Sequence, residues 1–451
     1  MKTGGQTWTI VSTILLLAIV PACTSTEAPP NLIVVMVDTL RPDHLGYHGH
    51  TNDTSPNIDA MAARSTVFMK HHSHSSRTGP AVASVFTGLH PRSHGVMNPL
   101  THFDAKGTLP PARVTLAEIL GDNGYGCFGY VGNPNVAPRF GFSQGFDSYE
   151  LVLPAAAADI NRLADETMSS SSGPFFMYLH YMEPHSHYRA PPSYREMFVS
   201  PGYDGLFTGA HEQLDDVVAG RIRPGREDGR HLEGLYDQEI RYLDRMFGEL
   251  LESIERHELS ENTIVVFMSD HGEEFLEHGS VLHGYTLYQE QLRVPLFIYD
   301  PRKAGGARVE AVTRHVDFLS TILEVMGIGV QTPAQGVSLV PWMEGREYAP
   351  ASGPVYAQVS LRAVKTVDVV SFEKGGWKII VNKLPEQTYE LYQVSEDPGE
   401  QRDLRPNDAA VTQLVGNQLM EFEKKLPRAD VHTVDLTPEE IQRLKSLGYI
   451  E

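Results

Sequence analysis

Asn31-Leu-Ile-Val-Val-Met-Val37 is an apolar run that leads straight into Asp38-Thr39-Leu40-Arg41-Pro42-Asp43. A run without alternation, closed by a turn, marks a strand buried on both faces. The pattern recurs at residues 175–179 and 263–268. Between those two, Leu235, Ile240, Leu243, Phe247, Leu250, Leu251 and Ile254 fall on one face at helical spacing. Strands alternating with amphipathic helices predict an α/β fold, a mostly parallel sheet sandwiched by helices. In such folds chemistry gathers at the carboxyl ends of the strands. Two of the runs end in an acid at that edge: Val37 in Asp38, and Met268-Ser269 in Asp270.

Outward from this frame, residues 200–230 are rich in Gly, Asp and Arg without periodicity and read as a long surface excursion. The composition shifts near Pro350-Ala-Ser-Gly-Pro354. Short alternating segments follow at 355–359, 367–372, 377–381 and 390–394, separated by Gly, Asn and Pro. They predict a small antiparallel sheet. Residues 409–425 predict a helix, and 437–447 a second, with Thr437 as cap and Glu440 at its third position.

The 451 residues carry 37 Lys and Arg against 57 Asp and Glu, a formal charge of −20. A chain this acidic, without a basic run, is not built to grip nucleic acid through its phosphates. An anionic substrate would need a local device, such as a metal, against the global field. Two cysteines, Cys23 and Cys127, exclude a disulfide scaffold and a cysteine-rich zinc module. Residues 10–20 (IVSTILLLAIV) are too short to span about 30 Å of hydrocarbon and have the length of a signal-peptide core. They end at Val20-Pro21-Ala22-Cys23, which resembles a bacterial lipoprotein signal with Cys23 as the lipidated first residue. An ordinary cleaved signal is the second reading. The expectation is an envelope lipoprotein facing periplasm or outside, held to the membrane by lipid on Cys23 through a polar tether.

Three clusters carry chemistry: Asp38 to Asp43, Thr78 to Gly88 with His94-Gly95, and Ser269-Asp270-His271-Gly272-Glu273-Glu274 with His278 and His283. Acids at two strand ends beside an imidazole suit a divalent metal. In this order the clusters resemble the sulfatase branch of the alkaline phosphatase superfamily. The likeness includes Thr87-Gly-Leu-His-Pro91, Glu183-Pro184-His185, Leu287-Tyr288 with Arg293-Val294-Pro295, Glu390-Leu391-Tyr392, Asp397-Pro-Gly-Glu400 and the ending LKSLGYI. It implies an alkaline-phosphatase-like fold. On it the chain divides into a signal at 1–22, a tether at 23–30, a catalytic domain at 31–349 and a C-terminal subdomain at 350–451.

The departures from the family define the expected chemistry. The resemblance places Thr78 where sulfatases carry the Cys or Ser that becomes formylglycine, with Ala81 and Val82 in place of Ser and Arg. Threonine does not yield that aldehyde, so no formylglycine is expected. Other branches of the superfamily use threonine as a covalent nucleophile beside a metal, and a hydroxyl needs such activation. A bland alternative is that Thr78 only caps the following helix, and Ser76 is the rival nucleophile. Asp38, Asp270 and His271 are the expected ligands of one divalent ion, with calcium, zinc or manganese open. His185 and His283 match family positions against the substrate's anionic oxygens or leaving group, where a protonated imidazole would be general acid or charge clamp. Asn133 lies in the region of a substrate-binding lysine and is expected to donate to a substrate oxygen. The resulting expectation is a hydrolase of sulfate or phosphate esters, acting on a sulfated or phosphorylated small molecule or glycan. A phosphodiesterase, phosphonate hydrolase or phospho-group transferase of the same superfamily is the alternative, and a binding protein on an inactive scaffold is the third reading.

Overall fold

The computed structural model describes residues 28–97, 105–154, 156–303, 305–329, 332–346 and 353–446, with Met1, Lys2 and Gly4. The signal-like run, Cys23 and residues 447–451 lie outside them. A parallel core runs in the order Thr263–Ser269, Asn31–Val37, Phe175–Tyr181, Gly126–Val131 and Ser148–Leu151. Leu296–Tyr299 extends it antiparallel, followed by Thr66–His72, which pairs with Arg293–Val294 and Arg308–Arg314. Alternate residues of the central strand face opposite sides, as the two-residue period requires. Ile33, Val35 and Val37 meet the apolar face of the Arg226–Arg256 helix through Ile240, Leu243 and Phe247. Leu32, Val34 and Met36 join Val82, Val85 and Phe86 of the Thr78–Thr87 helix. The central strand is therefore covered on both faces, which is why its sequence shows no polar alternation.

The C-terminal strands Val355–Arg362, Thr366–Lys374, Trp377–Leu384 and Thr388–Gln393 form an antiparallel meander. The Ala409–Lys425 helix buries Val415 and Leu419 against it. Thr437 and Glu440 exchange the reciprocal bonds of a capping box before Pro438–Ser446. Two features depart from expectation. The surface excursion at 200–230 contains the His211–Val218 helix and the start of the Arg226–Arg256 helix. And Thr433–Asp435 returns to pair with Ala105–Gly107 of the main body. Gly107, the end of that main-body strand, lies against the Met97 backbone, where a Cβ would come 2.2 Å from the carbonyl oxygen.

His278 ties the segment after Asp270 to the C-terminal region. Its Nδ1 donates to Glu290 Oε1 at 2.8 Å and its Nε2 to the Glu400 carbonyl at 3.0 Å. A carbonyl only accepts, and so does a carboxylate, so both ring nitrogens carry hydrogen and the ring is cationic. Burial works against that charge, but the Glu290 bond outweighs it and raises the pKa to about 9. The folded value lies above an unfolded value of about 6.5, so the stabilisation is full below that pH and fades as the folded group titrates. Thermal midpoints of the parent and of His278→Gln should differ most below about pH 6.5 and converge past about pH 9. A pH-independent gap would leave this charge without a role.

Candidate active site

The strand register assembles the site. Val37 pairs with Ser269 on one side and Tyr181 on the other, and Met36 pairs with His180. Asp38 and Asp270 therefore leave neighbouring parallel strands at the same level, with His180 beside them. All three side chains are fully buried, as is His271. Asp270 Oδ1 accepts from the backbone N–H groups of Thr39 at 3.2 Å and His271 at 2.8 Å. Thr39 holds a left-handed φ of 56°, sparsely populated for a β-branched residue. Tyr236, donating to the Thr39 carbonyl at 2.7 Å, helps to hold it there.

Among the described residues, Asp270 Oδ2 and Asp38 Oδ1 have no hydrogen-bond partner. His271 Nδ1 donates to the Gly272 carbonyl at 3.0 Å, which fixes the tautomer and leaves a lone pair on Nε2. That Nε2 lies 3.4 Å from Asp270 Oδ2, 3.9 Å from Asp38 Oδ1 and 3.4 Å from Thr78 Oγ1. His180 Nε2 faces Asp38 Oδ2 at 3.5 Å. Its Nδ1 contacts Tyr178 Oη at 3.0 Å, and among the described residues its Nε2 has no hydrogen-bond partner. Burial pushes both acids up. For Asp38 the surrounding imidazoles overcome burial and hold it below the usual carboxylate range. For Asp270 the charge on Asp38 adds to burial, and its pKa rises. Two buried acids with bare oxygens beside an imidazole lone pair form a donor set that fits a divalent cation.

A second histidine–acid group behaves differently. Asp237 accepts from His44 Nδ1 at 2.6 Å, His50 Nε2 at 3.0 Å and Asn52 Nδ2 at 2.8 Å. Its oxygens are satisfied, and the group is a hydrogen-bonded brace.

Thr78 is the first residue of its helix, not the cap. The cap position is Arg77, and no side chain caps that end. The Thr78 hydroxyl instead turns into the site, where Asn133 Nδ2 donates to Oγ1 at 3.2 Å and also to Asp38 Oδ2. Ser76 Oγ is tied to the Thr286 carbonyl at 2.8 Å. Val82 is packed in the core. The His283 ring lies 4.4 Å from that of His271 and 5.1 Å from that of His185. The expectation of protonated imidazoles meets a different environment. Burial and neighbouring histidines push His283 well below its ordinary value, and burial also lowers His185, so both are neutral near pH 7. His283 Nδ1 contacts Glu273 Oε1 at 2.9 Å, and Tyr188 donates to Glu273 Oε2 at 3.1 Å. Burial raises the Glu273 carboxyl well above its usual range.

The structure thus brings Asp38, Asp270, His271, Thr78, Asn133, His185 and His283 into one neighbourhood. Sequence reasoning passed over His180 and left Glu273 unassigned. The sulfatase family model matches residues 30–328, more than half of the chain. The chain belongs to the sulfatase family. A second family model, the C-terminal region of N-sulphoglucosamine sulphohydrolase, matches residues 277–425. The family is one of sulfuric ester hydrolases. Choline-sulfatase of Rhizobium meliloti is 24% identical, over 85% of this chain and 83% of that protein. Mouse iduronate 2-sulfatase is 26% identical over 61% of this chain, and the match spans 60% of that protein's length. Among solved structures, the phosphonate monoester hydrolase of Agrobacterium radiobacter superposes with a TM-score of 0.74 at 18% identity, covering 91% of this chain and all of that one. A protein solved with its substrate D-glucosamine-2-N,6-O-disulfate gives 0.74 at 19% identity, over 88% and 98% of the two chains. These likenesses place the fold as alkaline-phosphatase-like.

Proposed function

We propose that this chain is an exported hydrolase of sulfate or phosphate esters, with Thr78 as nucleophile beside one divalent cation. The observation that carries the reading is the Thr78 hydroxyl, buried at a two-acid centre whose outer oxygens lack partners. Asp38, Asp270 and His271 would hold the cation, with His180 as a further donor. Imidazole among the ligands favours zinc or manganese over calcium. Such an ion supplies charge that favours the ionised hydroxyl and offsets charge on the transferred group.

The chain's own groups do the rest. Asn133 orients Thr78 Oγ1. The neutral His283, with its Nδ1–H on Glu273 Oε1, has its lone pair on Nε2 and takes the hydroxyl proton there. As Thr78 Oγ1 bonds to sulfur or phosphorus, the ester bond breaks and the departing alcohol oxygen takes that proton. Water then attacks the sulfur or phosphorus and gives a proton to the same imidazole; the bond to Thr78 Oγ1 breaks, Oγ1 takes that proton back, and the sulfate or phosphate leaves. His185, whose ring lies 5.1 Å from that of His283, would assist the departing oxygen. A transferase would share the first half and replace water by an acceptor alcohol.

A cavity of about 760 Å³ lies behind Phe275 and Leu276, a few residues along the chain from Glu273. Arg223, Arg226, Arg230 and Lys365 line it together with Glu233 and Glu277, and among the described residues none of the four cations is in an ion pair. Unpaired cations on so acidic a chain support an anionic substrate, a sulfated or phosphorylated glycan above a small neutral-bodied ester. Export and the lipid on Cys23 rest on the sequence reading of the N-terminus.

A panel of aryl sulfate, phosphate monoester, phosphate diester and phosphonate, with metals restored after chelation, tests the reading. Turnover of none of them would reject it. Mass spectrometry of the peptide holding Thr78 should show unmodified threonine, and activity should not depend on co-expression of the formylglycine-generating system. An aldehyde at that position would overturn the nucleophile.

A further inference from the structure

Lys106 is a buried amine that the proposed mechanism does not use. It is 8% exposed, and among the described residues no carboxylate lies within ion-pair distance of it. Its Nζ donates to the neutral Asn135 Oδ1 and sits 4.8 Å from the centre of the Phe140 ring. Glu440, the acid that favours its charge from further away, is paired with Arg139. Burial, with Arg77 adding repulsion, pushes its pKa well below the ordinary lysine value. Holding such a group charged costs several kcal/mol, and an anion brought near it would favour the ammonium. Its placement says where that anion would come from. Lys106 and Asn135 share a small enclosed pocket with Arg77, Gly79 and Pro80, the residues on either side of Thr78 at the start of its helix. The Asn135 backbone N–H donates to Asn133 Oδ1 at 2.7 Å, and the Asn133 amide donates to Thr78 Oγ1. The amine is therefore linked by two amides to the nucleophile.

We propose that Lys106 is the fixed cation of the anion site, the counter-charge for the sulfuryl or phosphoryl group bound at Thr78. It is a positioning residue, acting across the pocket and through Asn135 and Asn133. The strand that carries it is held by Val434 in the Thr433–Asp435 strand. The neutral Asn133 then orients the hydroxyl while Lys106 supplies the charge that the amide lacks.

The inference rests on the proposed anion chemistry but not on the identity of the nucleophile, so it is tested in metal-loaded Thr78→Ala protein, where no covalent step occurs. Calorimetric titration with inorganic phosphate and with sulfate reads anion affinity directly. Adding Lys106→Met should weaken both by about tenfold or more, leave metal content unchanged, and hold or raise the thermal midpoint, because a buried amine without a charged partner has gone. Lys106→Arg should keep part of the affinity. Anion affinity within about twofold of the parent would overturn the proposal. So would a lowered midpoint in Lys106→Met, since that marks a structural brace. If Thr78→Ala itself retained turnover, the nucleophile would fall while the binding result stood.

Discussion

Thr78→Ala is expected to lower kcat by at least about a thousandfold, because the group proposed to form the covalent bond is gone and no neighbouring hydroxyl replaces it. Ser76, the other candidate, is tied to the Thr286 carbonyl. The fold should survive. Thr78 contributes no cap to its helix, and alanine is the best helix former, so the thermal midpoint should stay close to that of the parent. Metal content should fall little, since Asp38, Asp270 and His271 remain. Thr78→Ser gives the complementary result, retaining measurable turnover, as only a methyl group is removed. Loss of activity in Ser76→Ala with Thr78→Ala still active would reverse the assignment.

Asp270→Asn is expected to weaken divalent-metal binding by at least about a hundredfold and to lower activity with it, both partly restored by excess metal. The amide keeps an acceptor for the Thr39 and His271 N–H groups, so the backbone around the site should hold. The metal-free proteins give a second sign. Burial and the charge on Asp38 raise the Asp270 carboxyl, so ionising it costs stability in the metal-free fold. Metal-free Asp270→Asn should therefore unfold no earlier than the metal-free parent, and the order should reverse when metal is added. A parent fully active after exhaustive chelation would remove the nucleophile's activator. Two ions per chain by metal analysis would replace the single-ion reading.

Much of this frame was legible because local pattern and tertiary role agree. Residues 31–37 are apolar without alternation since both faces of that strand are covered, and the register then forces Asp38 and Asp270 to meet. The Ala409–Lys425 helix and the four C-terminal strands announce themselves by period and by Gly and Pro breaks. The His211–Val218 helix does not. It has two turns, and His211, Leu214, Val217 and Val218 form too short a stripe among glycines and acids. His180 hides inside an aromatic and apolar strand, Phe175–Tyr181, where a histidine reads as one more core residue. Only the pairing of Met36 with His180 brings it beside Asp38. The neutral state of His185 and His283 was equally invisible, since it follows from burial beside other imidazoles and not from any spacing along the chain.

The return of Thr433–Asp435 to Ala105–Gly107 bears on the order in which the protein is made. The ribosome releases residue 106 long before residue 434, so the strand carrying Lys106 has no partner while most of the chain is still being synthesised. The surroundings of Thr78 then become complete only once residues 433–435 have been made. A nascent or prematurely terminated chain would carry Asp38, Thr78, Asp270 and His271 and yet lack the brace behind them. Such an arrangement delays esterase competence until residues 433–435 have emerged and paired.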